Sequence, residues 1–434
     1  MSSTPAPQHL SAAEHGLVRS HVDANALAVV EQLVDAGFEA YLVGGCVRDL
    51  LLGLQPKDFD VATDATPEEV RREFRRCRLV GRRFRIAHVR FGRHIIEVST
   101  FRKGHPEDED ADERHHADSG RILRDNVWGT LEEDAFRRDF TINALYYDPR
   151  AEEIIDFVGG LDDLEHRRLK FIGDAEVRLR EDPVRILRAV RFRAKLGFNL
   201  DPAIERAIPD VADRLRQIPP ARLFDEVCKL FVSGKSLEVW DYLAPTPLRW
   251  ALFPSAPPDD PLIRLAMGNT DLRIAEDKPV TPGFLFAVLM WRDYQARCAE
   301  LEGSRKPAEV RAVAAGATLA QQQSIIAIPR RFSQFIRDVW GLQHRLEARR
   351  PRVVATLLSH ERFRAAYDFL VLRGQSGENV QEAADWWTRY QAQNPDGREA
   401  MLEGLRGQSP EKSVKRRKRR RRKRGGSRTD SQDG

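Results

Sequence analysis

The spacing of apolar residues changes character near Gly173, and no other feature restricts the fold so strongly. Upstream, short strand-like runs (39–43, 59–62, 86–91, 94–100 and 153–157) alternate with helical ones (26–36, 47–52 and 133–146). Asn25 is the expected cap of the first helix, and Thr66-Pro67-Glu68-Glu69 has the composition of a helix start. Gly92-Arg93 sits where two of the strand-like runs would turn as a hairpin. Downstream, segments 175–197, 202–214, 220–233, 283–299, 307–323, 331–348, 361–373 and 379–392 all repeat at helical spacing. The pattern predicts an α/β head, a mixed sheet with helices, followed by an all-helical neck and body. The expected boundaries are a flexible leader at 1–24, the head at 25–172, a neck at 173–235, the body at 236–405 and a disordered basic tail at 406–434.

With 434 residues, 41% of them hydrophobic and 32% charged, the chain can bury a sizeable core. No apolar run approaches the roughly 18 residues that span a bilayer. Residues 1–13 lack the basic start and apolar centre of a secretory signal. Four dispersed cysteines (Cys46, Cys77, Cys228 and Cys298) form no CxxC pair, which excludes a disulfide scaffold and suits a reducing cytoplasm. The net charge of +5 hides an asymmetry. Lys415, Arg416, Arg417, Lys418, Arg419, Arg420, Arg421, Arg422, Lys423 and Arg424 form an unbroken cationic run, so the rest of the chain is net acidic. Such a block repels itself and binds polyanions by releasing their counterions, which predicts an RNA-binding arm. Residues 103–120 read as a solvated acidic loop. His115-His116 beside Asp112 and Glu113 lack the spacing of a metal site.

The first chemical signal is Asp58-Phe59-Asp60. On a strand, residues two apart project to one face, and two such carboxylates can bridge a pair of divalent ions for in-line phosphoryl displacement. A short acidic pair is a weak motif alone. The preceding Gly44-Gly45-Cys46-Val47-Arg48-Asp49 strengthens it, because a glycine pair between strand and helix lets backbone N–H groups approach phosphate oxygens. Arg48, in the first helical turn, is placed to add a bidentate phosphate contact. Neither a Walker loop nor a GxGxxG fingerprint is present.

YLVGGCVRDLLLG followed by KDFDVAT resembles the active-site signature of class II of the polymerase β-like nucleotidyltransferases, the class of tRNA CCA-adding enzymes and bacterial poly(A) polymerases. Residues 137–145 (RRDFTINAL) and 181–192 (EDPVRILRAVRF) resemble two further motifs of that class, in the same order. The resemblance implies a template-independent nucleotidyltransferase acting on RNA 3′ ends. Its cofactor would be magnesium, with manganese as an alternative ion, and its substrate ATP. Asp58 and Asp60 would hold metal, and Asp139 would serve catalysis, fix its neighbouring arginines or contact the ribose. Glu97 would be the third carboxylate or an edge-strand glutamate in solvent. Gly44, Gly45, Arg48, Arg102 and Arg138 would bind triphosphate, although Arg102 and Arg138, each taken singly, are equally structural ion pairs. Asp182 and Arg185, three apart on an expected helix, would offer an acceptor beside a donor, which matches adenine or cytosine but not guanine or uracil. Arg188 would add a second donor.

The shared edge pattern of A and C leaves polyadenylation and CCA addition open at that pair. Residues 79–89 and 123–130, the long acidic loop before the second of them, and helical segments as far as Arg373 resemble the bacterial poly(A) polymerases. The basic tail suits an enzyme that must hold unrelated, lengthening strands. The expected enzyme is therefore a cytoplasmic, monomeric adenylyltransferase acting on RNA, with RNA-decay proteins as candidate partners. CCA addition and a non-catalytic RNA-binding adaptor are the alternatives.

Overall fold

The computed structural model describes residues 6–81, 85–103 and 128–408, and the chain divides into two compact units at Ile218/Pro219. That division falls inside the segment read from sequence as the neck. The first unit is built on an eight-stranded mixed sheet. Its strands are β1 (Gln8–Leu10), β2 (Ala40–Val43), β3 (Asp60–Thr63), β4 (Cys77–Val80), β5 (Ile86–Phe91), β6 (His94–Thr100), β7 (Leu145–Asp148) and β8 (Glu153–Asp156). Their spatial order is β1-β8-β7-β2-β3-β6-β5-β4, and β3 and β6 run parallel at its centre. The β5–β6 hairpin turns at Gly92, whose φ of +62° is the left-handed conformation such a turn needs.

Alternation along these strands gives the sheet two unlike faces. Val61, Ala87, Val89, Ile96 and Val98 are buried on one side, whereas Arg78, Arg90, Ile95 and Glu97 on the other are exposed. The helix Ala24–Asp35 buries Ala26, Val29, Val30 and Leu33. It is capped by Asp23, which accepts from the N–H groups of Asn25 and Ala26, and not by Asn25. The helix Pro67–Glu73 begins with the expected Thr66 cap, closed into a capping box by Glu69.

Three further expectations are corrected. The leader contains β1, an edge strand paired with β8, and Leu17 and Val22 are buried. A strand held by backbone bonds along an existing edge needs little apolar patterning of its own. The helix expected at 133–146 is Leu131–Arg137 only. The chain then becomes extended, makes a 3-10 turn at Thr141–Asn143 and enters β7. Asp139 accepts from its neighbour's N–H (Phe140, 2.8 Å), and β7 gains strand partners on both sides. The helix expected at 175–197 breaks at Asp182, separating Ala175–Glu181 from Arg185–Leu196. Pro183 lacks an N–H and drives the residue before it out of the helical region, so Asp182 sits at φ −147°, ψ 94°.

The second unit is helical throughout its described residues. Seven of its helices start with proline: Pro220–Phe231, Pro247–Leu252, Pro261–Ala275, Pro282–Leu289, Pro307–Gln323, Pro351–Leu358 and Pro395–Gln408. The segment expected as one helix at 283–299 is two, meeting at Met290, where nothing in the sequence announces a break. Its core is rich in tryptophan. Trp340 and Trp387 are buried and satisfy their indole N–H groups on the carbonyls of Ala287 (3.1 Å) and Leu346 (2.9 Å). No helix among the described residues is long and apolar enough to cross a membrane.

Candidate active site

The carboxylates and the glycine turn meet at the centre of the sheet. Asp60, the first residue of β3, lies directly across from Val43 on β2 and beside Glu97 on β6. Val43 is followed at once by Gly44, so the turn abuts the acidic row. Phe59 is buried while Asp58 is exposed and Asp60 partly so, which places the two aspartates on the same side of the chain. Burial, then the charges of Glu97 and Asp58, push the Asp60 carboxyl up to about 6, with Arg138 opposing them. A crowd of like charges whose net effect still raises the carboxyl, despite Arg138, is the electrostatic condition that favours a cation. Among the described residues no group of three or more His, Cys, Asp or Glu side chains is placed to hold a metal ion, so Asp58, Asp60 and Glu97 do not converge as a ready-made ligand set.

Gly44 adopts φ +80°, ψ −129°, a conformation open to glycine and strained for other residues. A Cβ there would stand 3.5 Å from Arg138 Nη1 and 3.6 Å from the Asn143 carbonyl, an ordinary contact distance. The backbone angle, and not a clash, is therefore what demands glycine. A Gly44→Ala variant is expected to lose about 1–3 kcal/mol of stability and to weaken ATP use at least tenfold, read as the KM for ATP beside a thermal melt.

Arg138 is fixed by a residue that sequence reasoning missed. Asp134 Oδ2 accepts from its Nε (3.1 Å) and Nη2 (2.8 Å), and also from the Tyr146 hydroxyl (2.8 Å). Burial alone would depress Arg138, but Tyr146 and Asp134 hold it above its ordinary value. It is a permanent cation beside Gly44. The signal was present, since Asp134 and Arg138 are four apart on the expected helix. Asp134 also accepts from the backbone N–H of Arg102 (3.3 Å), which anchors the segment after β6 next to this cation.

The remaining predicted residues form a second, connected group. Arg48 is buried, donates to Asp49 (2.6 and 2.9 Å) and to Asn143 Oδ1 (2.5 Å), and lies over the Phe192 ring. Asn143 in turn donates to Asp139 (3.2 Å), whose other oxygen accepts from Arg188 Nε (3.0 Å). Burial raises the Asp139 carboxyl, but Arg188, Asn143 and the Phe140 N–H outweigh it, so the group is held below its ordinary value and stays ionised. Of the roles open to Asp139, the geometry places it on Arg188, 49 residues away. Asp182 and Arg185 are not neighbours on one helix. Arg185 Nη1 donates to Glu181 (2.5 Å) and to the Arg178 carbonyl (2.7 Å), while Arg178 Nη2 donates to the Arg138 carbonyl (2.6 Å). The Pro183 break is thereby tied to the RRD segment. Cys46 lies beneath the site, where burial pushes its thiol up to about 12, so it is no nucleophile. The cationic run 415–424, the acidic loop and much of 123–130 lie outside the described residues.

Comparisons with known proteins give the family. Residues 40–170 match the model of the poly A polymerase head domain, 197–258 that of the probable RNA and SrmB-binding site of polymerase A, and 304–424 that of the polymerase A arginine-rich C-terminus. Poly(A) polymerase I of Escherichia coli O6:H1 is 44% identical over 407 residues, covering 90% of this chain and 87% of the relative. That of Haemophilus influenzae is 42% identical, with 91% and 90% covered. A CCA-adding enzyme of Lactobacillus delbrueckii is 40% identical, but over 52% of this chain and 54% of its own. Among solved structures, a CCA-adding enzyme in an apo form superposes with a TM-score of 0.62 at 20% identity, covering 89% of this chain and 88% of that one. At that identity the likeness shows the fold.

The family model and the relatives define a nucleotidyltransferase, and its fold is a mixed-sheet head with a helical remainder. The chain belongs to the bacterial poly(A) polymerase I family and is an enzyme, a polynucleotide adenylyltransferase. ATP and RNA are the substrates that fit it.

Proposed function

We propose that the 3′-hydroxyl of an RNA attacks the α-phosphorus of ATP, releasing pyrophosphate, at the row formed by Asp58, Asp60 and Glu97. The observation that carries this reading is the register that sets Asp60 opposite Val43, one residue before the Gly44 turn, and beside Glu97. The donor set is all oxygen, which suits magnesium, or manganese in its place. Bound there, such ions would neutralise the developing charge on the phosphoryl oxygens. Gly44 and Gly45 let the triphosphate approach the backbone, and Arg138, rigidly held by Asp134, supplies a fixed positive charge beside it. Arg48 braces the glycine turn through Asn143, and Arg102, whose backbone N–H is held by Asp134 beside Arg138, is a further candidate for the triphosphate. Asp182 and Arg185 select the base across the Pro183 break, with Arg185 exchanging Glu181 for the base edge while Arg188 stays on Asp139. The cationic run 415–424 adds sequence-independent hold on the strand. All four cysteines are free, in keeping with a cytoplasmic enzyme. A monomer serving RNA decay fits this chemistry.

The discriminating assay supplies unstructured RNA with one nucleotide at a time. Long tails from ATP alone are expected. Addition of C, C and then A to tRNA would instead indicate CCA addition, and RNA binding without magnesium-dependent pyrophosphate release would indicate an adaptor.

A further inference from the structure

We propose that the RNA strand runs across the open sheet face from Asp60 toward β4, and that Arg78 and Arg90 hold its phosphates a few nucleotides behind the reacting end. The inference rests on the reaction assigned above and gives the path of its RNA. In-line displacement puts the attacking hydroxyl and the leaving pyrophosphate on opposite sides of the α-phosphorus. Gly44 and Arg138, which take the triphosphate, lie on the β2 flank of Asp60. The RNA end must therefore arrive from the other flank, over β6, β5 and β4.

Residues directly opposite in paired strands share a face. The register links Asp60 to Glu97, Glu97 to His88, and His88 to Arg78, one residue from each of four neighbouring strands. This row spans roughly 14 Å at the usual strand spacing. Its inner end is acidic and its outer end is cationic. His88 Nε2 stands 3.5 Å from Glu97 Oε1, joining the two halves. Arg90, two residues from His88, lies on the same face. With Arg76, Arg78 and Gly92 it lines an open depression of about 400 Å³ at the sheet edge. None of these three guanidiniums is paired with a carboxylate among the described residues. Their neighbours Arg72 and Arg85, by contrast, are paired with Glu69 and Glu68. Val80 and Ile95 are exposed along the same face among the described residues. A surface that begins at the acidic row and ends in arginines with no carboxylate partner among the described residues is complementary to a polyanion whose terminus reacts at the row.

The test uses the full chain carrying Arg78→Ala and Arg90→Ala together, and Arg78→Lys with Arg90→Lys as the charge-preserving control. The alanine pair should raise the KM for an oligo(A) primer about tenfold and lower the salt slope of primer binding by about 2. Its KM for ATP and its melting temperature should stay close to the parent's, and the lysine pair should recover most of the loss. A primer carrying 4-thiouridine near its 3′ end should crosslink to peptides of β4 and β5. Unchanged primer KM and salt slope, with crosslinks elsewhere, would overturn the path. An Asp60→Ala protein that still extends RNA would overturn the reaction itself, so the two failures are distinguishable.

Discussion

Replacing Asp60 by alanine is expected to abolish adenylate transfer, by at least about a thousandfold, while making the metal-free protein melt higher. Asp58→Ala should lose activity to a similar extent. The two effects of Asp60 have one cause. Its carboxyl is buried among Glu97 and Asp58 and pushed up to about 6, whereas in the unfolded chain it titrates near its ordinary value of 3.8. Folding therefore takes up a proton between about pH 4 and pH 6. Below that window the side chain is neutral in both states and costs nothing. As pH rises through 6 it ionises against its neighbours and weighs on the fold. Allowing for its partial exposure, the penalty is about 1–2 kcal/mol, a few degrees of melting temperature. Asp60→Asn should show the same gain at pH 7.5 and none below pH 4. Added magnesium should reverse the ranking, stabilising the parent and leaving the variants unmoved. Transfer should weaken as pH falls through 6, because protons then compete for the carboxylate that must hold the ion.

The second large effect is expected at Asp139. Truncation to alanine removes the carboxylate to which both Arg188 and Asn143 donate, and Asn143 itself anchors Arg48. About 2–3 kcal/mol of stability should be lost, and nucleotide selection should loosen as the helix carrying Arg188 uncouples from the RRD segment. Denaturant melts of Asp139→Ala, Arg188→Ala and the double variant measure the coupling. Strong non-additivity is expected, with the double variant little worse than either single one. Incorporation of CTP relative to ATP by Asp139→Ala reports the loss of selection.

Much of this site was legible in the sequence because its parts are local. A glycine pair between strand and helix, two acids one residue apart and a Thr66-Pro67 start each declare their geometry within a few residues. The β5–β6 hairpin followed from alternation and Gly92, whereas the parallel pairing of β6 with β3 that sets Glu97 beside Asp60 is long-range and has no local signal. Failures occurred where long-range pairing decides. β7 looks helical until β2 and β8 claim it on both sides, and β1 has no pattern apart from the edge it joins. The Pro183 break was readable and was overridden by the helical spacing around it. The partners that Arg48 and Arg188 hold in the fold, Asn143 and Asp139, were not legible because they approach only in the folded chain. Asp134 was visible as a helical neighbour of Arg138, but only burial reveals that it sets that arginine's place.

Manganese binding tests the account most directly, followed by electron paramagnetic resonance on the full chain with a non-hydrolysable ATP analogue, for the parent and for Asp58→Ala/Asp60→Ala. The parent should take up the ion, and the double variant should leave it in solution while still melting cooperatively. Equal uptake by a folded double variant would contradict the assignment of the acidic row.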